Sequence, residues 1–251
     1  MSFRLMWALV LALATPLAAA AEIRVAVAAN FHGTLQALAP LYERASGHRL
    51  VISSGASGAF YTQIVNGAPF DVFLSADVAR PERLEREGLT VSGTRFVYAR
   101  GVLALWSPRG GVVDAQGRVL EGEGFRYLAF ADPRVAPYGV AAEEVLRGRG
   151  VFETLDAAGK LVRGQSIGQT HGQVASGAAD LGFVALSQIR GARGVSGSYW
   201  VPPQEAYTPI LQAAVVLARA GDVAAARDFL DWLRGPEARA VIEAAGYGFA
   251  D

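Results

Sequence analysis

Four short stretches of this chain place small, neutral hydrogen-bond donors where a strand signal gives way to a helix signal: Asn30, Ser57-Gly58, Tyr138-Gly139 and Ile167-Gly168. A helix start carries main-chain N–H groups with no partner inside the helix and a partial positive charge, so each such place suits an anion. Glycine beside the last three removes a Cβ and lets the main chain approach a ligand closely. None of the four contains Arg, Lys, His, Asp or Glu. An anion would therefore be held by amide and hydroxyl dipoles alone. Phosphate near neutral pH keeps a proton and needs an acceptor, which these stretches do not offer. The chemistry that fits is capture of a fully deprotonated tetrahedral dianion such as sulfate, molybdate or tungstate. Taken singly, Ser57 is also an ordinary helix cap and Asn30 an ordinary turn residue. The four together, two in each half of the chain, carry the reading.

Other chemistry is weaker. Gly164-Gln-Ser166-Ile-Gly168 has the form of a nucleophile elbow and raises a Ser hydrolase as the rival reading. That arrangement needs an acid and then a histidine after the serine, and only His171 follows, five residues on. A binding protein without a catalytic step is the expectation. Three scattered histidines and no cysteine give no ligand spacing for a metal cation, and no cofactor motif is present. Asp71 and Asp77 are explained by strand-end hydrogen bonds and helix capping.

The elements that must position the four stretches alternate along the chain. Ile23–Ala28, Arg49–Ser53 and Asp71–Ser75 read as strands, with helices after the first two and another from Asp77 towards Glu87. Val97 to Trp106 reads as one extended strand interrupted at Gly101. Tyr127–Phe130, Leu161–Arg163, Leu181–Val184 and Ile210–Leu217 read as further strands. Helices are expected over Gly139–Leu146, Gln169–Ser176, Val223–Leu233 and Pro236–Ala245. Such alternation predicts an α/β architecture with mostly parallel sheets. Composition shifts near residues 106 and 205 predict two lobes with a cleft between them, 22–105 with 206–251 as the first and 106–205 as the second.

The first 21 residues stand apart. Arg4, the apolar run Leu5–Ala14 and the small residues Ala18–Ala21 have the form of a cleaved secretory signal. The absence of cysteine leaves core burial as the source of stability, and about 230 further residues are enough to supply it. Basic and acidic residues balance at 23 each, so no charge excess points to nucleic acid or to a membrane surface.

With these residues in place the chain resembles the periplasmic molybdate-binding proteins of ABC importers, within the type II periplasmic binding-protein superfamily. The matching stretches are Val25–Asn30, Val51–Gly58, Gln63–Asp77, Asp132–Gly139, Gly177–Val184 and Leu233–Ala238, in family order. The resemblance implies a two-lobed fold with molybdate or tungstate in the interlobe cleft, held by hydrogen bonds alone. It implies Ala29 and Asn30 in the first loop, with Asn30 as a donor. It also implies Ser57 through its hydroxyl and N–H, and Tyr138 and Ile167 through main-chain N–H groups. It further implies a monomer that delivers its anion to the membrane subunits of an ABC permease. Two positions depart from the family pattern. Ala29 stands where a hydroxyl residue is common, leaving only its N–H to donate, and Ala185 stands where some members carry a tyrosine.

Overall fold

A computed structural model of the chain describes residues 20–191 and 194–250. The expected secretory signal lies outside the described residues through position 19. Chain order runs β1 (Glu22–Ala28), α1 (His32–Ser46), β2 (Arg49–Gly55), α2 (Ser57–Val65), β3 (Val72–Leu74), α3 (Ala79–Arg86), β4 (Phe96–Gly101) and β5 (Leu103–Ser107). It continues through β6 (Leu128–Ala131), α4 (Pro137–Gly148), α5 (Phe152–Ala157), β7 (Leu161–Gly164), α6 (Ile167–Ala175), β8 (Leu181–Ala185) and α7 (Leu186–Ile189). The short pair β9 (Arg190–Gly191) and β10 (Gly194–Val195), then β11 (Ser198–Trp200), β12 (Ile210–Val216), α8 (Val223–Leu233) and α9 (Pro236–Ala244) complete it.

Two five-stranded sheets result, ordered β2-β1-β3-β12-β4 and β11-β5-β8-β6-β7. In each, three neighbouring strands are parallel, β2-β1-β3 and β8-β6-β7. The remaining pairings, through β12 and β4 in the first sheet and β5 and β11 in the second, are antiparallel. The parallel strands are joined by helical crossovers, which bury both faces, and their sequences are accordingly near-continuous apolar runs. Val25, Val27, Phe31, Leu35 and Phe229 form the core of the first sheet; Leu105, Phe130, Leu146 and Phe183 belong to that of the second.

The extended stretch read as a single strand from Val97 to Trp106 serves both sheets. Pairing of β4 with β12 ends at Gly101↔Ile210, and pairing of β5 with β8 starts at Leu103↔Ala185. The chain therefore changes sheets at Val102, and the lobe boundary expected between residues 105 and 106 falls inside β5. It returns between Trp200 and Ile210. Gly101 marks this crossing: a Cβ there would fall on the Tyr138 hydroxyl and within 2.7 Å of Gln212 Nε2, so the two sheets meet here without room for a methyl group.

Candidate functional site

The four donor stretches all sit at carboxyl ends of parallel strands. Asn30 follows β1, Ser57 follows β2, Tyr138 lies beyond β6 and Ile167 beyond β7. β1 pairs with β2 and β6 with β7, so each sheet presents two adjacent tips. The crevice outside the carboxyl ends of parallel strands is the usual ligand position in open α/β sheets. The structure brings Ala29, Asn30, Ser57, Tyr138 and Ile167 to one small, narrow pocket, walled otherwise by small residues such as Ala28, Ala56, Ala76 and Ala136. No residue lining it carries a charged side chain. A wider, open groove shares Ala76 and Pro137 with this pocket and contains Arg80, Asp77 and Glu144. Its apolar walls and its ion pair suit it poorly to a bare dianion, whereas the small pocket has the matching donors.

Local sequence explains each tip. Ser57 is the first residue of α2 after an extended Ala56, so it does not cap the helix from outside. Its Oγ accepts the Ala76 N–H at 2.9 Å, which leaves the hydroxyl proton free to donate elsewhere. Pro137 occupies the first position of α4, where its missing N–H costs nothing. Tyr138 then carries the first N–H of that helix. Ser166 caps α6 by accepting the Gln169 N–H at 3.1 Å, and Ile167 opens the helix. Among the described residues, the main-chain N–H groups of Asn30, Ser57, Tyr138 and Ile167 have no partner. Four buried residues with free donors around one pocket require an outside acceptor.

One expectation needs correction. The Ala29 N–H donates to the Gly55 carbonyl at 2.9 Å, one rung beyond the last β1–β2 pair, Ala28↔Gly55. It is spent on the sheet, and Ala29 offers the pocket only its methyl group. The Asn30 side chain is also engaged: Nδ2 donates to Gln212 Oε1 at 2.8 Å and to the Tyr247 hydroxyl at 3.1 Å, while the buried Oδ1 has no partner.

The hydrolase reading of Ser166 has no support in the geometry. Its Oγ serves as a helix cap, and His171 instead stacks on Trp106 with ring centroids 5.3 Å apart and planes at 11°. Burial lowers the His171 pKa. Among the described residues no group of three or more His, Cys, Asp or Glu is arranged to hold a metal ion.

Contacts between the sheets close over the pocket. The Gly58 N–H donates to the Val135 carbonyl at 3.0 Å, and a Cβ on Gly58 would come within 3.0 Å of that main chain. The buried Asp132 carboxylate, held below the usual carboxylate range chiefly by its hydrogen bonds from the Arg134 guanidinium, shapes the loop that carries Val135. Ser187 Oγ donates to the Asn30 carbonyl at 3.0 Å. Sequence reading missed Gln212, Tyr247 and Ser187 around Asn30; a lone polar residue inside the apolar run Ile210–Leu217 was the signal for the first.

Residues 23–248 match the family of bacterial extracellular solute-binding proteins. The molybdate-binding protein ModA of Azotobacter vinelandii is 50% identical over 232 residues, which cover 92% of this chain and 91% of that protein. ModA of Rhodobacter capsulatus is 48% identical over 240 residues, covering 96% and 93% respectively. The solved structure of the periplasmic molybdate-binding protein of Azotobacter vinelandii matches with a TM-score of 0.90 at 49% identity, covering 92% of this chain and 100% of that one.

Proposed function

This chain belongs to the bacterial extracellular solute-binding proteins, among the molybdate-binding components of ABC importers, and we propose that the pocket between its two sheets is where the anion is held. The observation that carries this reading is the convergence of the free N–H groups of Asn30, Ser57, Tyr138 and Ile167, with the Ser57 hydroxyl, on a pocket lined by no charged side chain. Each hydrogen bond to a charged guest contributes about 1.5–3 kcal/mol net. Five of them reach the order of 12 kcal/mol that nanomolar binding requires, before ordering costs are subtracted.

The two sheets act as lobes, divided at Val102 and in the segment before Ile210. A guest that bonds to both lobes at once favours their closed arrangement, because it interacts with that state more strongly than with the open one. The closed protein then presents itself to the permease as a monomer. Tungstate, with the same charge and shape as molybdate, occupies the same site. Residues 1–21 direct export and are removed; N-terminal sequencing of the exported protein should begin at Glu22, and an intact Met1 would refute it.

Calorimetry of the mature protein with molybdate, tungstate, sulfate and phosphate tests the site. Tight binding is expected for the first two, weaker binding for sulfate and none for protonated phosphate. Equal, weak heats for all four would refute it. In the same titration Ser57→Ala should weaken molybdate binding by ~1–3 kcal/mol, the cost of an unmade hydrogen bond to a charged group. An unchanged affinity would remove Ser57 from the site.

A further inference from the structure

We propose that Gln212 is a positioning residue of the anion site: it turns the Asn30 carboxamide so that its NH2, rather than its oxygen, faces the guest, and the Tyr138 hydroxyl on the opposite lobe selects that orientation. The inference rests on the pocket assignment above and deepens it.

Gln212 is fully buried on β12. Its Oε1 lies 2.8 Å from Asn30 Nδ2 and 2.9 Å from the Tyr98 hydroxyl, and its Nε2 lies 3.3 Å from the Tyr138 hydroxyl. In this setting two groups are left over. Asn30 Oδ1 is buried without a donor. The Tyr138 hydroxyl accepts from Gln212, and its own proton has no acceptor among the described residues.

A half-turn of both carboxamides exchanges every donor and acceptor in the pair and resolves both. Gln212 Nε2 then donates to Asn30 Oδ1 across the 2.8 Å contact and to the Tyr98 oxygen across the 2.9 Å contact. Tyr98 donates to the Ser75 carbonyl at 3.2 Å. Gln212 Oε1 takes the Tyr138 hydroxyl proton. The Tyr247 hydroxyl, which donates to the Asn30 carbonyl at 2.7 Å, turns its one proton to Asn30 Oδ1 across 3.1 Å, and that carbonyl is then left to Ser187 Oγ at 3.0 Å. Asn30 NH2 replaces the orphaned oxygen on a residue that lines the pocket. Buried polar networks of this kind are stable when every member is satisfied and costly otherwise.

The consequence is a link between closure and recognition. Tyr138 belongs to α4 on the second sheet, whereas Asn30 and Gln212 belong to the first. The hydroxyl reaches Gln212 only when the lobes are together, so the donating orientation of Asn30 is selected at closure. An oxygen facing the guest would suit a protonated anion; the NH2 suits a bare dianion. Gln212 thereby also bears on discrimination against phosphate.

Gln212→Glu and Tyr138→Phe test this by molybdate titration. In the first variant a protonated carboxyl reproduces the two bonds that matter here, donating to Asn30 and accepting from Tyr138, and gives up only the one to Tyr98; an ionised one can only accept and pulls the Asn30 NH2 back. The titratable groups facing it are the phenols of Tyr98, Tyr138 and Tyr247, with Asp77 on the neighbouring loop. Burial pushes all three phenols above their ordinary value, so they stay neutral. Burial also raises the pKa of an introduced carboxyl, so Q212E should bind about tenfold or more weakly near pH 9 and recover most of that loss near pH 6.5, while the native protein stays level. Y138F should bind severalfold more weakly with an unchanged Tm. A pH-independent Q212E, or Y138F with native affinity, overturns the proposal; if Q212E does not fold, Y138F decides alone. A native protein that gives no heat with molybdate would instead refute the pocket assignment itself.

Discussion

Gly139→Ala is expected to lower molybdate affinity by about 10- to 100-fold, equivalent to losing one charge-assisted hydrogen bond. A Cβ at this position would fall on the Ala131 carbonyl oxygen and lie 2.9 Å from Pro133 N. These are main-chain atoms of β6 and the loop after it, and they cannot swing aside as the tip of a long side chain can. The first turn of α4 must move away from the sheet instead, and it takes with it the Tyr138 N–H one residue earlier. Gly172→Ala, in the neighbouring helix α6, is the control: nothing lies within 4 Å of its added methyl group. Alanine is a better helix former than glycine, so the control should fold at least as well as the native protein and bind molybdate as tightly. Titration of the two variants side by side separates displacement of the donor from any general effect of the substitution. Native affinity in Gly139→Ala would show that the first turn of α4 does not touch the guest.

The second large effect falls on stability, away from the pocket. The Asp71 carboxylate accepts the Arg24 N–H at 2.7 Å, the Arg24 guanidinium at 2.9 and 3.0 Å, and the Gly221 N–H at 2.8 Å. One buried side chain thus ties β1, the start of β3 and the turn leading to α8. Asp71→Ala leaves two main-chain donors and a cation without their partner, and should reduce unfolding free energy by about 3 kcal/mol. Urea unfolding of the ligand-free protein measures it; a change below about 1 kcal/mol, the size of an exposed ion pair, would contradict the account. Burial alone would raise the Asp71 pKa, but the hydrogen bonds from Arg24 and Gly221 outweigh it and hold it below the ordinary carboxylate value. The carboxylate's contribution is therefore complete above that ordinary value, near 4, and is lost as pH falls through the lower folded-state value. The alanine variant should lack this part of the acid sensitivity.

How much of this was legible in the sequence depends on the range of the interactions. The crossovers β1–α1, β2–α2 and β7–α6 are local, and their strand runs, caps and glycines announce them. That is why Asn30, Ser57, Tyr138 and Ile167 could be singled out, and they do surround one pocket. The hydrogen bonding of Ala29 was not legible, because it depends on the register between β1 and β2. Nor was the split of the stretch from Phe96 to Ser107, an extended apolar run that pairs with β12 in one sheet and β8 in the other. Gln212 and Tyr247 lie 182 and 217 residues from Asn30, and no local pattern relates them.

The clasp from the Gly58 N–H to the Val135 carbonyl belongs to the main chain at both ends. Most of the free donors around the pocket are main-chain groups as well. Outside Ser57 and the glycines, replacing residues one by one with alanine would leave these main-chain atoms in place, and such a survey would understate contacts that matter. Amide-to-ester exchange at positions 58, 138 and 167, which deletes a single N–H while keeping the side chain, would expose what the survey overlooks. The clasp leaves residue 58 little room to drift: proline would remove the donor, and any Cβ would come within 3.0 Å of the Val135 main chain.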